Sequence, residues 1–190
     1  GYAVAEAASA LGGAVTLVSG PTSIAAPTGV ELVPVVTAAQ MYEAVIARAA
    51  LSDVFVSAAA VADYAPADAA PQKLKKSSAE MAVELVRTQD ILAAVAKLSR
   101  APFTVGFAAE TNDMRANAEK KLSSKALDMI AGNDVSDPQI GFNSDENALT
   151  VLWDGGHRDL PRAPKSVIAT ELLSLVAERF HDKHSAAYSR

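Results

Sequence analysis

The sequence contains no cysteine among its 190 residues. This absence excludes disulfide bonds, a thiol nucleophile and a thiolate-bound zinc site. Aromatic residues make up only 5% of the chain, whereas hydrophobic residues, many of them alanine, make up 50%. Such a composition favours helices packed closely on a sheet over an aromatic-rich β-sandwich. We therefore expect a folded α/β protein that works in the reducing cytoplasm.

The chain also lacks a long uninterrupted apolar stretch and an excess of positive charge. Charged and small polar residues interrupt its apolar runs too often for a membrane span, and residues 1–11 do not have the pattern of a signal peptide. The formal net charge of −5 argues against general attraction to nucleic acid. We expect neither a membrane nor a nucleic-acid partner, so locally clustered lysines become candidates for binding a smaller anion.

Strand-like and helix-like patterns alternate along the chain. The predicted strands are residues 15–20, 30–36, 53–61, 103–109 and 128–134, and the one at 53–61 has no polar alternation, as expected for a strand covered on both faces. The predicted helices are residues 2–11, 37–51, 91–99, 112–127 and 165–180, with a hairpin of residues 148–153 and 157–160 before the last one. This order predicts a Rossmann-like, doubly wound, mostly parallel sheet in a single domain of residues 1–190. We expect the polar tail after His181 to be frayed.

Two parts of this pattern depart from a regular doubly wound domain. Such a domain opens with a strand and a phosphate-cradling loop before its first helix. The chain begins at that helix, so we expect the missing strand and loop to precede Gly1. Residues 73–76 and 81–86 form two further strand-like runs, and we expect them to form a hairpin or flap over the site.

The stretch from residue 53 to residue 76 combines a buried strand with groups suited to a polyphosphate. Its strand ends in small residues, which let a ligand approach the backbone. Asp63 follows the strand, and Lys73 follows a proline-rich turn. A carboxylate can coordinate a divalent cation on phosphates, and a lysine can neutralise charge that develops during transfer of a phosphoryl or nucleotidyl group.

Each of these two residues also has a structural interpretation. Asp63 could be a turn aspartate that bonds its own backbone. Lys73, with Lys75 and Lys76, could protect an edge strand against aggregation. The structural interpretation suits Lys75 and Lys76 best, whereas prolines and the short distance from Asp63 constrain Lys73 and favour a functional role for it.

Three later features could complete an anion or nucleotide site. Residues 88–92 start a helix whose free amides could accept an anion or a base edge, although Asp90 would also be an ordinary N-cap. Phe107 ends a strand and could stack on a nucleobase or belong to the core. Lys121 and Lys125 lie one helical turn apart, as a binding pair or as solvated surface lysines.

Taken in order, these motifs resemble one family. The segments S-A-A-A-V-A-D-Y, P-Q-K-L-K-K, T-Q-D-I-L, V-G-F-A-A-E-T, the K-x-x-x-K helix and G-F-N-S-D-E-N-A-L are similar to those of bacterial phosphopantothenoylcysteine synthetases. The resemblance implies a ligase that joins 4′-phosphopantothenate to cysteine with CTP and Mg²⁺, through an acyl-cytidylate. It also implies a homodimer, and a fused decarboxylase domain that would hold FMN outside this chain.

The resemblance assigns a role to each candidate. Asp63 corresponds to the carboxylate beside the triphosphate and its metal, and Lys73 to the catalytic lysine of the flap. The remaining nucleotide contacts that it implies are Ser57, Ala58, Ala59, Gln89, Asp90, Ile91, Leu92, Phe107, Lys121 and Lys125. The residues alone do not distinguish CTP from ATP, and the choice of CTP follows the family.

Two other functions remain open at the level of sequence. A short-chain dehydrogenase-like oxidoreductase also has a strand ending in alanines, but it needs Tyr-x-x-x-Lys, and none of the 4 tyrosines has lysine at that spacing. A non-catalytic nucleotide-binding or dimerisation module would bind CTP without releasing pyrophosphate. A pyrophosphate assay separates this module from the ligase.

Overall fold

A computed structural model of the chain describes residues 1–68, 72, 81–110, 113–134 and 144–188. Helices and strands alternate through most of this part. In chain order they are α1 (Tyr2–Ala10), β1 (Val15–Ser19), β2 (Val30–Pro34), α2 (Ala38–Ala49), β3 (Val54–Ser57), β4 (Tyr64–Pro66), β5 (Leu85–Arg87), α3 (Ile91–Ala96), β6 (Phe103–Glu110), α4 (Met114–Ser124), β7 (Met129–Asp134), β8 (Glu146–Trp153), β9 (Gly156–Pro164) and α5 (Lys165–Tyr188). Among the described residues, no helix has the length and apolarity to cross a bilayer.

The main sheet has five strands in the order β3-β6-β7-β8-β9. Strands β3, β6 and β7 are parallel, whereas the β8–β9 hairpin adds two antiparallel strands. Strands β1 and β2 form a separate parallel pair. The predicted α/β class with a mostly parallel sheet is confirmed. The ends of β3, β6 and β7 lie along one side of the sheet, the carboxyl edge, where ligands bind in such folds.

Helices cover both faces of this sheet because alternate strand residues point to opposite sides. On one face, Val105 and Met129 pack against Leu172 and Leu175 of α5, and Val4 of α1 joins them. We call this side the α1/α5 face. On the other, Ile130 packs with Ala118 of α4, and Phe55 of β3 packs with Ile91 of α3. We call this side the α3/α4 face.

Local capping explains why α2 begins where the sequence predicts. The Thr37 hydroxyl accepts a hydrogen bond from the backbone N–H of Gln40 at 3.1 Å, and the Gln40 side-chain oxygen accepts one from the Thr37 N–H at 3.1 Å. This reciprocal capping box satisfies two amides that the first turn leaves without a helical partner.

The predicted flap hairpin is described only in part. Residues 85–87 form β5, which pairs antiparallel with β4. Residues 81–84 are not in a strand, and residues 73–76 lie outside the described part. The predicted strand at 53–61 is also too long, since β3 ends at Ser57. The alanines that follow have a low preference for extended structure.

The prediction of a frayed tail is also wrong for the described residues, because α5 continues past His181 to Tyr188. Two long-range contacts hold this last part of the helix. Lys183 donates to the carboxylate of Asp128, and the Phe180 ring packs edge-on against Phe103, with ring centroids 6.0 Å apart. Such contacts cannot be found from the local composition of the tail.

Gly106 of β6 provides a test of how closely the helices approach the sheet. A Cβ at this position would lie 2.9 Å from Leu92 Cδ2 and 3.0 Å from Leu127 Cδ1. We predict that Gly106→Ala lowers the free energy of unfolding by about 1–3 kcal/mol through overpacking, measured by urea denaturation. Gly20→Ala is the control, because its Cβ meets nothing within 4 Å. Equal stabilities for the two variants would contradict close packing at Gly106.

Candidate functional site

The carboxyl edge brings together segments that are far apart in the sequence. Ser57, the last residue of β3, pairs in register with Gly106 of β6. The small residues after Ser57 therefore leave the sheet beside the end of β6. Ala58 is partly buried and Ala59 is exposed, so the backbone of this segment is open to a ligand.

Two hydrogen bonds from Thr88 fix the loop that contains Asp63. The Thr88 N–H donates to the Asp63 carbonyl oxygen at 2.9 Å, and the Thr88 hydroxyl donates to the Ala62 carbonyl oxygen at 2.7 Å. Thr88 directly precedes Gln89 and Asp90, so it joins the loop after β3 to the start of α3. The carboxylate of Asp63 is exposed beside this junction.

Asp90 uses its two carboxylate oxygens for two different contacts. Oδ1 accepts a hydrogen bond from the Ala93 N–H at 3.0 Å and so caps α3. Oδ2 lies 2.7 Å from the ammonium group of Lys125. One side chain therefore fixes the start of α3 and ties it to the end of α4.

The pKa of the Asp90 carboxyl reflects these contacts. Burial on its own would raise the pKa, but the hydrogen bond from Lys125, the hydrogen bond from the Ala93 N–H and the positive charges of Lys125 and Arg87 together lower it below the ordinary value. Because the folded-state pKa is lowered, the stabilisation is present above the ordinary aspartate pKa. It is lost as the pH falls through the lowered value.

The three lysines of α4 and its C-cap differ in exposure. Lys120 is exposed, whereas Lys121 and Lys125 are partly buried. Lys121 and Lys125 are one turn apart and lie at the C-terminal end of α4, where positive charge is favourable. Partial burial thus distinguishes the two predicted nucleotide-binding lysines from Lys120.

Close packing over Gly106 brings the start of α3 and the end of α4 together. The side chains of Leu92, in α3, and Leu127, just after α4, both approach the backbone of Gly106. Ile91 is buried on the same face. In this segment Gln89 and Asp90 are the exposed residues, and Ile91 and Leu92 supply packing.

The structure does not bring Phe107 next to the Asp90–Lys125 pair. Its neighbours Gly106 and Ala108 face α3 and α4, whereas the partly buried Phe107 ring packs against the cluster on the α1/α5 face. A ring at this position could meet a ligand that reaches across the strand end, and its role in stacking stays a prediction.

The predicted catalytic lysine, Lys73, lies outside the described residues. The structure does describe the antiparallel ribbon of β4 and β5, which precedes and follows this segment in the chain. Next to it, the Ala67 N–H donates a hydrogen bond to the Glu84 carbonyl oxygen at 2.9 Å. This hydrogen bond extends the β4–β5 pairing beyond Pro66. Ala67 and Glu84 therefore lie side by side at one end of this ribbon, and Asp63 and Thr88 lie at its other end.

A separate cavity of about 370 Å³ lies between α4 and the β8–β9 turn. Its lining includes Arg115, Glu119, Trp153 and His157, and none of the predicted site residues. Arg115 is ion-paired with Glu119 at 3.2 Å and contacts His157 Nδ1 at 3.3 Å. Because these groups satisfy each other and lie away from the carboxyl edge, the cavity does not support the predicted chemistry.

Sequence reasoning missed the structural role of Thr88. It was named as part of a helix cap, but Asp90 is the N-cap and Thr88 bonds the loop after β3. A threonine just before a helix gives no signal for a partner so distant in the chain.

A family model and several relatives match this chain. Residues 1–180 match the family described as DNA/pantothenate metabolism flavoprotein C-terminal domain. The coenzyme A biosynthesis bifunctional protein CoaBC of Vibrio vulnificus (strain CMCP6) is 49% identical over 93% of this chain and 45% of its own length. That of Escherichia coli (strain K12) is 44% identical over 97% of this chain and 46% of its own length. The chain thus spans about half the length of these curated relatives.

Solved structures share the fold. The crystal structure of the C-terminal domain of coenzyme A biosynthesis bifunctional protein CoaBC superposes with a TM-score of 0.80 at 37% identity, covering 96% of this chain and 82% of its own. A Cab2 mutant H337A in complex with phosphopantothenate-cysteine shares the fold at 18% identity, with a TM-score of 0.63 over 85% of this chain and 56% of its own. The chain therefore belongs to the family of DNA/pantothenate metabolism flavoprotein C-terminal domains.

Proposed function

We propose that this domain is a phosphopantothenate–cysteine ligase of coenzyme A biosynthesis that uses CTP and releases CMP and pyrophosphate. The observation that supports it most directly is the similarity, over nearly the whole chain, to the C-terminal domain of CoaBC. The Cab2 complex supports the substrate pair, since a protein of the same fold binds phosphopantothenate-cysteine. The junction of Asp63, Thr88 and Asp90 at the carboxyl edge is a suitable place for a nucleotide.

The chemistry explains why cations are needed at this edge. A carboxylate is a poor electrophile, so one of its oxygens first attacks the α-phosphate of CTP, a P–O bond forms and pyrophosphate leaves. The amine of cysteine then attacks the acyl carbon, loses a proton and displaces CMP. Two anions have to meet in the first step. Lys73, Lys121 and Lys125 would lower their repulsion and stabilise charge in the transition state.

Mg²⁺ fits the described residues only as a phosphate-bound ion. Within the described ranges, no group of three His, Cys, Asp or Glu side chains could hold a metal ion. Asp63 offers one exposed carboxylate near the junction, and Mg²⁺ typically takes one or two carboxylates together with phosphate oxygens. Bound in this way, the ion would neutralise phosphate charge, with Asp63 holding it beside the loop after β3.

We also propose two features of the whole protein. The chain corresponds to about half of the bifunctional relatives, so a flavin-dependent decarboxylase domain, with FMN, would be fused to it outside this chain. The exposed ribbon of Tyr64, Leu85 and Val86 presents apolar side chains, which supports a homodimer.

Pyrophosphate release tests the proposed function. We predict that protein with the complete domain releases pyrophosphate only when CTP, Mg²⁺ and 4′-phosphopantothenate are present, and forms the cysteine conjugate when cysteine is added. Lys73→Ala should retain CTP binding but lose about 10²-fold or more in kcat, because a transition-state contact is removed. Calorimetry measures the binding. CTP binding without pyrophosphate release from the wild type would identify a non-catalytic module instead, and normal turnover by Lys73→Ala would refute its role.

The role of Lys125 is tested in a separate experiment, in which a second lysine beside the same helix end serves as the control. We predict that Lys125→Met raises the KM for CTP about tenfold, the loss of about 1.4 kcal/mol of binding. Lys120→Met is the matched control, because Lys120 is exposed, and it should leave the KM for CTP unchanged.

The same variant has a readout that does not depend on activity. Because Lys125 lowers the pKa of Asp90, Lys125→Met should raise the pKa of that carboxyl, as followed by carboxyl-carbon NMR during a pH titration. An unchanged pKa would show that the pair does not form in solution.

A further inference from the structure

Thr88 holds the two peptide groups on either side of the Cα of Asp63. Its N–H donates to the Asp63 carbonyl oxygen at 2.9 Å, and its hydroxyl donates to the Ala62 carbonyl oxygen at 2.7 Å. Because each peptide group is planar, fixing the direction of both carbonyls restricts both backbone dihedral angles of Asp63. The direction in which the Asp63 side chain leaves the backbone is restricted with them.

The two hydrogen bonds of Thr88 depend on different parts of the residue. The N–H bond continues the antiparallel pairing of β4 and β5, in which Tyr64 is opposite Arg87, and every residue except proline has such an N–H. The hydroxyl bond depends on the side chain. A substitution that removes only the hydroxyl therefore frees the Ala62 carbonyl but keeps the strand pairing.

The loop has further anchors that do not involve Thr88. Val61, two residues before Asp63, packs against the cluster that contains Val45 and Ile91, and Tyr64 is the first residue of β4. Ala62 is exposed, so water can bind its carbonyl oxygen when the hydroxyl is absent. The fold should therefore survive loss of the hydroxyl, and the main consequence should fall on the geometry at Asp63.

Thr88 also connects Asp63 to the second charged part of the candidate site. Asp90, two residues further along the chain, caps α3 with Oδ1 and lies 2.7 Å from the ammonium group of Lys125 with Oδ2. The segment from Thr88 to Asp90 thus sets the position of Asp63 on one side and that of Lys125 on the other.

From these contacts, and on the basis of the proposed function, we infer that Thr88 is a positioning residue whose hydroxyl orients the carboxylate of Asp63 towards Mg²⁺ on the triphosphate of CTP. Mg²⁺ requires a nearly ideal octahedral arrangement of its oxygen ligands, so a carboxylate on a loosely held backbone binds it less well. A backbone that is held before the nucleotide arrives also lowers the cost of ordering on binding. In this role Thr88 acts through Asp63.

Calorimetry of CTP binding to protein with the complete domain tests the role of Thr88. We expect Thr88→Val, which removes the hydroxyl but keeps the branched shape, to raise the Kd for CTP about tenfold with Mg²⁺ and less than about twofold in EDTA. Thr88→Ser, which keeps the hydroxyl, should restore the Kd to within about twofold of the wild type. Thr170→Val is the matched control, because the Thr170 hydroxyl also donates to a backbone carbonyl, that of Ser166 in α5, at 3.0 Å. It should leave both constants unchanged.

A double-mutant cycle shows whether Thr88 acts through Asp63. In an Asp63→Asn background, Thr88→Val should change the Kd for CTP with Mg²⁺ less than about twofold, because the carboxylate that it orients is already gone. The same tenfold loss in both backgrounds, equal loss with Mg²⁺ and in EDTA, no recovery in Thr88→Ser, or an unchanged Kd in Thr88→Val would each overturn the inference.

Two further measurements keep the outcome interpretable. Circular dichroism checks that each variant is folded, and Thr88→Ala, with the same expected constants, replaces Thr88→Val if that variant does not fold. If the wild type binds CTP with Mg²⁺ but releases no pyrophosphate, the proposed function fails while the binding constants still decide the role of Thr88. The two failures are therefore distinguishable.

Discussion

The ion pair between Asp90 and Lys125, 2.7 Å long, is the contact on which the candidate site depends. Both side chains are partly exposed, and pairs of this kind typically contribute only about 0–1 kcal/mol to stability. The importance of the pair is therefore geometric. Asp90 caps α3 with its other oxygen, so the position of Lys125 is set by the start of a helix that itself packs on β6 through Leu92.

The sheet has helices on both of its faces, and strand β6 contributes side chains to each face. Successive residues of β6 point to opposite faces, so Gly106 and Ala108 face α3 and α4 while Phe107 faces the cluster with α1 and α5. Lys121 and Lys125, at the end of α4, and Lys165, at the start of α5, are partly buried and belong to helices on opposite faces of the sheet. Positive charge is thus present on both faces although the net charge of the chain is −5.

Local features of the fold could be predicted from the sequence, and long-range ones could not. The caps at Thr37 and Asp90 depend on neighbouring residues, and both are confirmed. The β4–β5 pairing joins residues on either side of the segment that contains Lys73, and the contact between Lys183 and Asp128 joins α5 to the start of β7. Neither of these two contacts produces a periodic pattern in the sequence, because each depends on a residue that is distant in the chain.

The candidate site shows the same division. Motif order indicated which residues belong together, including Asp90 and Lys125, but not that these two form a pair. The junction made by Thr88 and the partial burial of Lys165 depend on distant strands. The packing of Phe107 on the α1/α5 face follows from strand alternation once the position of β6 is known.

Chemical-shift mapping of CTP with Mg²⁺ onto isotope-labelled protein tests the central claim, that the nucleotide lies over the junction of α3, α4 and the loop after β3. We expect the largest amide shifts at residues 57–63, 88–92 and 121–127. Large shifts confined to Arg115, Trp153 and His157 at the opposite cavity, with no change around Asp90, would contradict it.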